Sequence, residues 1–361
     1  MPLAYKPDWD QTRERLCAWW NHEYFGRCAL AVWAPLEHPP ARRLPPEPTT
    51  VEEKWHGLDA IAEWNDYDHS RTFFGGEALP KWSAGYPGIA SLATVLGCPI
   101  SLSMDTGWHD PILTDPDGFD IRSLRLDETH WAYEYHVNVL RRAVQETAGR
   151  SIPSMGAFYH GGDLLAALRG TEQLLLDCAE RPEMVRDAED WLMEMWCGFY
   201  DRSYAAVNGP TRGSACWMGI WAPGKTYAVS NDFSYNISPR MFRELFLPAI
   251  VRQMEFLDYS IYHVDGVEAF THVNALCEQP RLQAIQIMPG AGKPSPLHYM
   301  DVLKKVQAAG KNLHLDLPPG EVKPALEQLS ARGLWINTSC DTEQDAHKLL
   351  ENVEGWSVDR G

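Results

Sequence analysis

The sequence predicts an α/β protein, built as a single-domain (β/α)8 TIM barrel spanning residues 1–361. Three observations lead to this class. From residue 150 onward, short β-rich runs alternate with longer helical patterns, and such alternation favours a parallel sheet. Eight strand–helix units can be proposed, and 361 residues suit one barrel of this kind. The other parallel-sheet architecture, an open doubly wound sheet, is weakened because neither GxGxxG nor GxxxxGK[ST] occurs.

Taken in order, the N-terminus "MPLAYKPDWDQTRERLCAWW" is charged and amphipathic, and reads as a helical extension over about residues 1–25. "CALAVWA" is the first strand. The proline-rich "PLEHPPARRLPPEP" then forms an extended surface loop. Thr50 and Glu53 offer a capping box for the helix that follows. A second strand falls near "EALPKW". The remaining six are "SIPSMGAF", "GSACWMGI", "YSIYH", "LQAIQIM", "KNLHLDL" and "GLWINTS". Between them lies a helix over 239–257, with Ser238 as cap, Pro239 in the first turn, and a stripe of Met241, Phe242, Leu245, Phe246 and Ile250. "PLHYMDVLKKVQAAG" and "EVKPALEQLSARG" are two more helical patterns, each ending in glycine.

Composition narrows the function. With 32 basic and 49 acidic residues the chain carries −17, a field that repels phosphate backbones and anionic membranes. Nucleic acid and membrane are therefore not expected partners. An anionic substrate in a local basic pocket remains compatible. The eight cysteines show no CxxC and no regular spacing, and no apolar stretch reaches the roughly 18–20 residues of a membrane helix. A reduced, cytoplasmic setting is expected, with a homodimer as the default assembly.

Active sites of such barrels lie at the carboxyl ends of the strands, so what each run ends in matters. "YHGGD" supplies His160 and Asp163. The run at 214–220 follows Trp217 into Trp221, and beyond it "SNDFSYN" carries Asp232. "YHVDG" gives His263 and Asp265, the next strand contains Gln286, and "HLD" gives His314 and Asp316. The last strand gives Asn337, Ser339 and Cys340. In "SCDTEQ", Asp341 stands in cap position with Gln344 three residues on. Cys340 would then sit just ahead of a helix N-terminus, where the dipole favours thiolate. His, Asp and Cys are all zinc ligands, and three protein ligands with one open position is the pattern of catalytic zinc. His263, Asp265 and Cys340 are the expected metal set.

Several segments together resemble the uroporphyrinogen decarboxylase superfamily, which includes zinc-dependent corrinoid methyltransferases. They are "LGCPISLSMDTGWHDPIL", "GAFYHGGDLLAALRGTEQLLLDCAERPEMV", "SNDFSYNISPRMFRELFLPAIVRQ", "YHVDG" and "NTSCDT", in the family's order. The resemblance implies an α/β barrel. It also implies departures. The arginine-rich motif of the decarboxylases is replaced by "AVWAPLEHPP", the expected aspartate by Glu77, and the terminal histidine pattern by "TSCDT". In the methyltransferase branch, His263 matches the ligand histidine and Cys340 the final cysteine, while Asp265 stands where a cysteine would be. A carboxylate is the harder ligand and shifts metal choice.

The expectation is a zinc-dependent methyltransferase or demethylase acting on a small molecule, with a corrinoid protein or folate-type carrier. Glu77, His160 and Asp232 are the candidate catalytic residues, and Trp217, Trp221 and Gln286 the candidate substrate contacts. The proline-rich loop is a candidate docking face for the carrier protein. Two alternatives stand beside it: a metal-free lyase on a small acid, anchored by Arg71 or His160, and a non-catalytic barrel binding a small ligand at its Trp-lined mouth.

Overall fold

A computed structural model describes residues 2–84 and 91–361. Seven strands form the central sheet: β1 (Ala29–Pro35), β2 (Thr72–Gly76), β3 (Thr226–Ser230), β4 (Tyr259–Asp265), β5 (Ala284–Met288), β6 (Asn312–Asp316) and β7 (Leu334–Ser339). Their spatial order is β2-β1-β7-β6-β5-β4-β3. Six are mutually parallel, and β2 pairs antiparallel with β1 at the edge. The α/β class and the parallel sheet expected from the alternation are present.

The expected set of eight equivalent strand–helix units needs correction. β2 and β3 were not among the predicted strands. "GSACWMGI" is a tight hairpin rather than one strand: Ser214–Ala215 pair antiparallel with Trp221–Ala222, around Gly219 at φ +77°. The run at 151–158 contributes only Ile152–Pro153, paired in parallel with Lys81–Trp82. These short pieces lie between β2 and β3. Met155 N–H donates to the Ala215 carbonyl (3.0 Å), and Thr226 N–H at the start of β3 donates to Ser214 Oγ (3.1 Å).

The amino-terminal helix, Trp9–Trp20, packs against the end of the sheet opposite the strands' carboxyl ends. Trp19 meets Trp335 edge-on at 5.1 Å and donates to the Gly333 carbonyl at the start of β7. The Thr50–Glu53 capping box forms as expected. Ser238 caps its helix, but the helix carries a π turn over Phe242–Phe246. Pro248 explains the widening, because it has no N–H and its ring crowds the preceding turn. The last helix begins at Glu343 with Thr342 as its cap, not Asp341. No helix among the described residues is long and apolar enough to cross a membrane.

Candidate metal centre at the carboxyl ends of the strands

Strand register builds the centre. Across the parallel ladders, Ser230 pairs with His263, His263 with Gln286, Gln286 with His314, and His314 with Trp335. Residues paired in this way share a face, and positions two further on share it too, so Asp265 and Asp316 join the same band. The band deepens toward β6 and β7. There His314 is fully buried, lies flat against Trp335 at 5.9 Å, and has no partner at either ring nitrogen. Burial pushes its basicity down to about 4, so it is a neutral floor residue.

At the mouth the donor atoms of Asp232, His263 and Asp265 all lie within 4.8 Å of one another. His263 Nε2 stands 4.0 Å from Asp265 Oδ2. On its other side, His263 Nδ1 is hydrogen bonded to Gln286 Oε1, and Gln286 Nε2 donates to Asp316 Oδ2 at 3.0 Å. The Asp316 carboxylate accepts only, so it turns the amide NH2 of Gln286 toward itself and the amide oxygen toward His263. That oxygen in turn requires the proton of His263 on Nδ1, leaving the Nε2 lone pair facing Asp265. This is the arrangement that outer partners impose on metal-binding histidines. Two acceptors then face each other, and Asp265 Oδ1 is buried without a partner. A cation between them satisfies both. The residues present therefore fit a divalent metal.

The turn after Asp265 depends on its glycine. Gly266 has φ +88°, and a β-carbon there would come within 2.6 Å of the Tyr235 ring. Trp217 closes the mouth from the hairpin, with its ring edge-on to His263 at 5.2 Å.

Behind the cluster lies a second layer of acids. Asp163 accepts from Phe233 N–H at 2.8 Å, and burial followed by the Asp232 charge pushes its carboxyl up to about 7. Burial and the neighbouring Asp265 push Asp232 up to about 6. Glu189, on the helix Pro182–Ala206, is fully buried with neither oxygen paired; burial, then Asp163, raises it well above the carboxylate range. Asp163 and Asp232 share a cleft of about 530 Å³ that includes Trp108 and Tyr159.

The other predicted residues are placed differently. Cys340 does not join the cluster. It lines a separate depression with Trp33, Pro39 and Arg71, its N–H donates to the Trp33 carbonyl, and burial raises its thiol rather than favouring thiolate. With the helix starting after Thr342, its N-terminal dipole does not begin beside Cys340. Glu77 is not a mouth residue. It is buried with both oxygens held by Arg27 (2.8 and 2.9 Å), one also by Leu30 N–H (2.7 Å) and the other by Arg15. Trp221 lies against Trp9 of the amino-terminal helix, 5.3 Å edge-on, and donates to the Arg212 carbonyl, so it is no substrate contact.

His160 is sealed beneath the cleft, accepting from Ser230 N–H at 3.3 Å, and burial lowers its basicity to about 3. Arg71 lies over the Tyr67 ring, away from the cluster. Neither anchor of the lyase alternative reaches His263. Glu189 is not among the site residues expected from the sequence. Glu189 left a signal, since it falls on the stripe of Val185, Ala188, Leu192, Met193 and Trp196 that packs inward.

No protein-family model and no curated protein matches the chain. Among solved structures, the chain is similar to a methyltransferase from Methanosarcina mazei, with a TM-score of 0.63 and 10% identity over 95% of this chain and 98% of that one. At that identity the likeness shows a shared fold.

Proposed function

We propose that this chain is a metal-dependent methyltransferase, its cation held by Asp232, His263 and Asp265. The observation that carries the reading is the chain Asp316–Gln286–His263, which aims an imidazole lone pair at a carboxylate across 4.0 Å. The fold shared with a methyltransferase supports the choice of reaction, as do the segments that resemble the uroporphyrinogen decarboxylase superfamily. In this reading the seven-stranded sheet and the short ladders beside it form one barrel.

Asp232 takes the place that the sequence suggested for Cys340. One imidazole and two carboxylates make a harder donor set than one with thiolate. It suits zinc with an open position, and also manganese or iron. When bound, the cation would lower the pKa of a thiol or water at that position. Gln286 fixes the histidine, and Trp217 walls the site against solvent. Asp163 is poised to exchange a proton near neutral pH, on the far side of Asp232. A corrinoid protein or a folate-type carrier is the methyl partner that the resemblance implies.

Metal content, measured on protein purified without chelator, tests this. About one zinc or comparable cation per chain is expected in the wild type and in Cys340→Ala, and none in His263→Ala or Asp265→Ala. Metal lost in Cys340→Ala but kept in Asp232→Ala would replace this ligand set. Folded wild-type protein that takes up no metal would sink the mechanism.

A further inference from the structure

We propose that the cleft beside Asp163 and Asp232 binds a small organic cation, an ammonium nitrogen carrying alkyl groups. The inference deepens the methyl-transfer reading, on which it rests for what is done to the ligand once bound.

One face of a helix builds the cleft. In the helix Gly161–Arg169 and the glycine that follows it, Asp163, Ala166, Ala167 and Gly170 are spaced by three and four residues, so they share one side. Only the first carries a functional group. The three small residues beyond it leave open the space that larger side chains would fill, and the cleft there measures about 530 Å³. Asp232 lines it from the short turn Asp232–Asn236. The same Asp232 stands within 4.8 Å of the donor atoms of His263 and Asp265, so the cleft lies next to the candidate metal centre.

Aromatic rings complete the lining. A two-stranded hairpin, Ile100–Leu102 with Gly107–His109, supplies Trp108 and His109. Trp108 is 70% exposed, so most of its indole is free to meet a ligand. Tyr159 meets His109 edge-on at 5.3 Å. His109 adds no charge, because burial lowers its basicity and its Nε2 is engaged with the hydroxyls of Thr94 (2.9 Å) and Ser91 (3.0 Å).

Positive charge is missing from these walls. No lysine or arginine lines the cleft, and among the described residues none pairs with Asp163 or Asp232. Asp163 is held by dipoles alone, the Phe233 N–H at 2.8 Å and the Ser230 hydroxyl at 3.4 Å. Next inward, Glu189 is buried with neither oxygen paired. Hydrogen bonds solvate a half-buried carboxylate but leave its net charge to be met. Aromatic faces are negative as well, and attract cations rather than anions. A hard metal ion would use the carboxylate oxygens and gain nothing from the indole. An alkylated ammonium uses both, since its charge is spread under hydrocarbon that packs on rings and small residues. The net charge of −17 draws such a ligand toward the protein.

The test compares choline with its neutral carbon isostere, 3,3-dimethyl-1-butanol. Binding is followed by calorimetry at pH 7.5 to wild type, Trp108→Leu, Trp108→Phe, Asp163→Asn and His263→Ala. We expect choline to bind wild type about tenfold or more tighter than the isostere, the scale of a cation–π contact joined to one carboxylate. Trp108→Leu and Asp163→Asn should each cut that preference severalfold, and Trp108→Phe should retain most of it. Trp108 is exposed enough that its variants should fold even if Asp163→Asn does not. His263→Ala should leave the preference in place, because the imidazole is not part of the cleft. Equal affinities in wild type, or binding of neither probe, overturns the proposal. So does a preference untouched by Trp108→Leu, or one lost in His263→Ala, which would put the ammonium in the metal centre. A protein that takes up no metal yet prefers choline would defeat the methyl-transfer reading and leave the cation cleft standing.

Discussion

His263 Nε2 and Asp265 Oδ2 face each other across 4.0 Å, too far for a hydrogen bond and close enough to share a third partner. One residue separates them in the sequence, so both project from the same face of β4. The gap persists because His263 is held from behind. Gln286 occupies its Nδ1, and Asp316 occupies Gln286. The site is thus organised from the second partner outward.

Replacing Gln286 with leucine removes the acceptor that fixes the imidazole, while leaving a side chain of similar volume in the band. We expect the protein to fold and its metal affinity to fall by roughly 10–100-fold, the usual cost of losing such a partner. Competition with a chelator of known affinity measures it. Unchanged affinity would mean that His263 is oriented by something else, or that the metal lies elsewhere.

Glu77 should behave as a structural residue. Its folded pKa is held below the ordinary carboxylate value: burial opposes this, but Arg27, Arg15 and the Leu30 N–H outweigh it. A depressed acid contributes stability above its unfolded pKa, near 4.5, and loses it as pH falls through the folded value. Glu77→Gln leaves Arg27 buried with an uncompensated charge, a loss of about 3–5 kcal/mol at pH 7. Urea unfolding at pH 7 and pH 4 should show the gap between variant and wild type narrowing in acid. Destabilisation below about 1 kcal/mol at pH 7 would contradict this role.

Much of the site was legible because strand ends can be read from sequence. His263, Asp265, Asp316 and Asp232 each close a β-rich run or follow one, Gln286 lies within one, and a parallel sheet brings such ends to one edge. The misassigned residues depended on long-range pairing. Glu77 looked like a mouth residue until β2 turned out to run antiparallel, which carries the chain to the opposite end of the sheet. Trp221 was displaced for a related reason: the run before it folds back as a hairpin and delivers it to the amino-terminal helix. Cys340 was misjudged by one residue of capping, since Thr342 rather than Asp341 caps the helix.

The acids behind the candidate metal centre lead to a prediction about pH. Asp163 is raised to about 7 and Glu189 well above the ordinary carboxylate range, both chiefly by burial, while in the unfolded chain they ionise near 3.8 and 4.5. Folding at neutral pH therefore takes up protons. For a raised acid the stability is complete below the unfolded pKa and is lost as pH rises through the folded one. Metal-free protein should accordingly lose stability steadily from about pH 4 through pH 7. Glu189→Gln mimics the protonated acid without its titration. It should match wild type at pH 4 and melt a few degrees higher at pH 8, at roughly 2–4 °C per kcal/mol. Asp163→Asn should flatten the slope between pH 4 and pH 7. Added zinc should restore stability at pH 8 in the wild type, because a cation at Asp232 relieves the repulsion that raises Asp163. Thermal melts across this range decide the matter. A wild-type curve that rises from pH 4 to pH 7, with Glu189→Gln less stable at pH 8, would show that these carboxyls are paired and ionised in the folded protein.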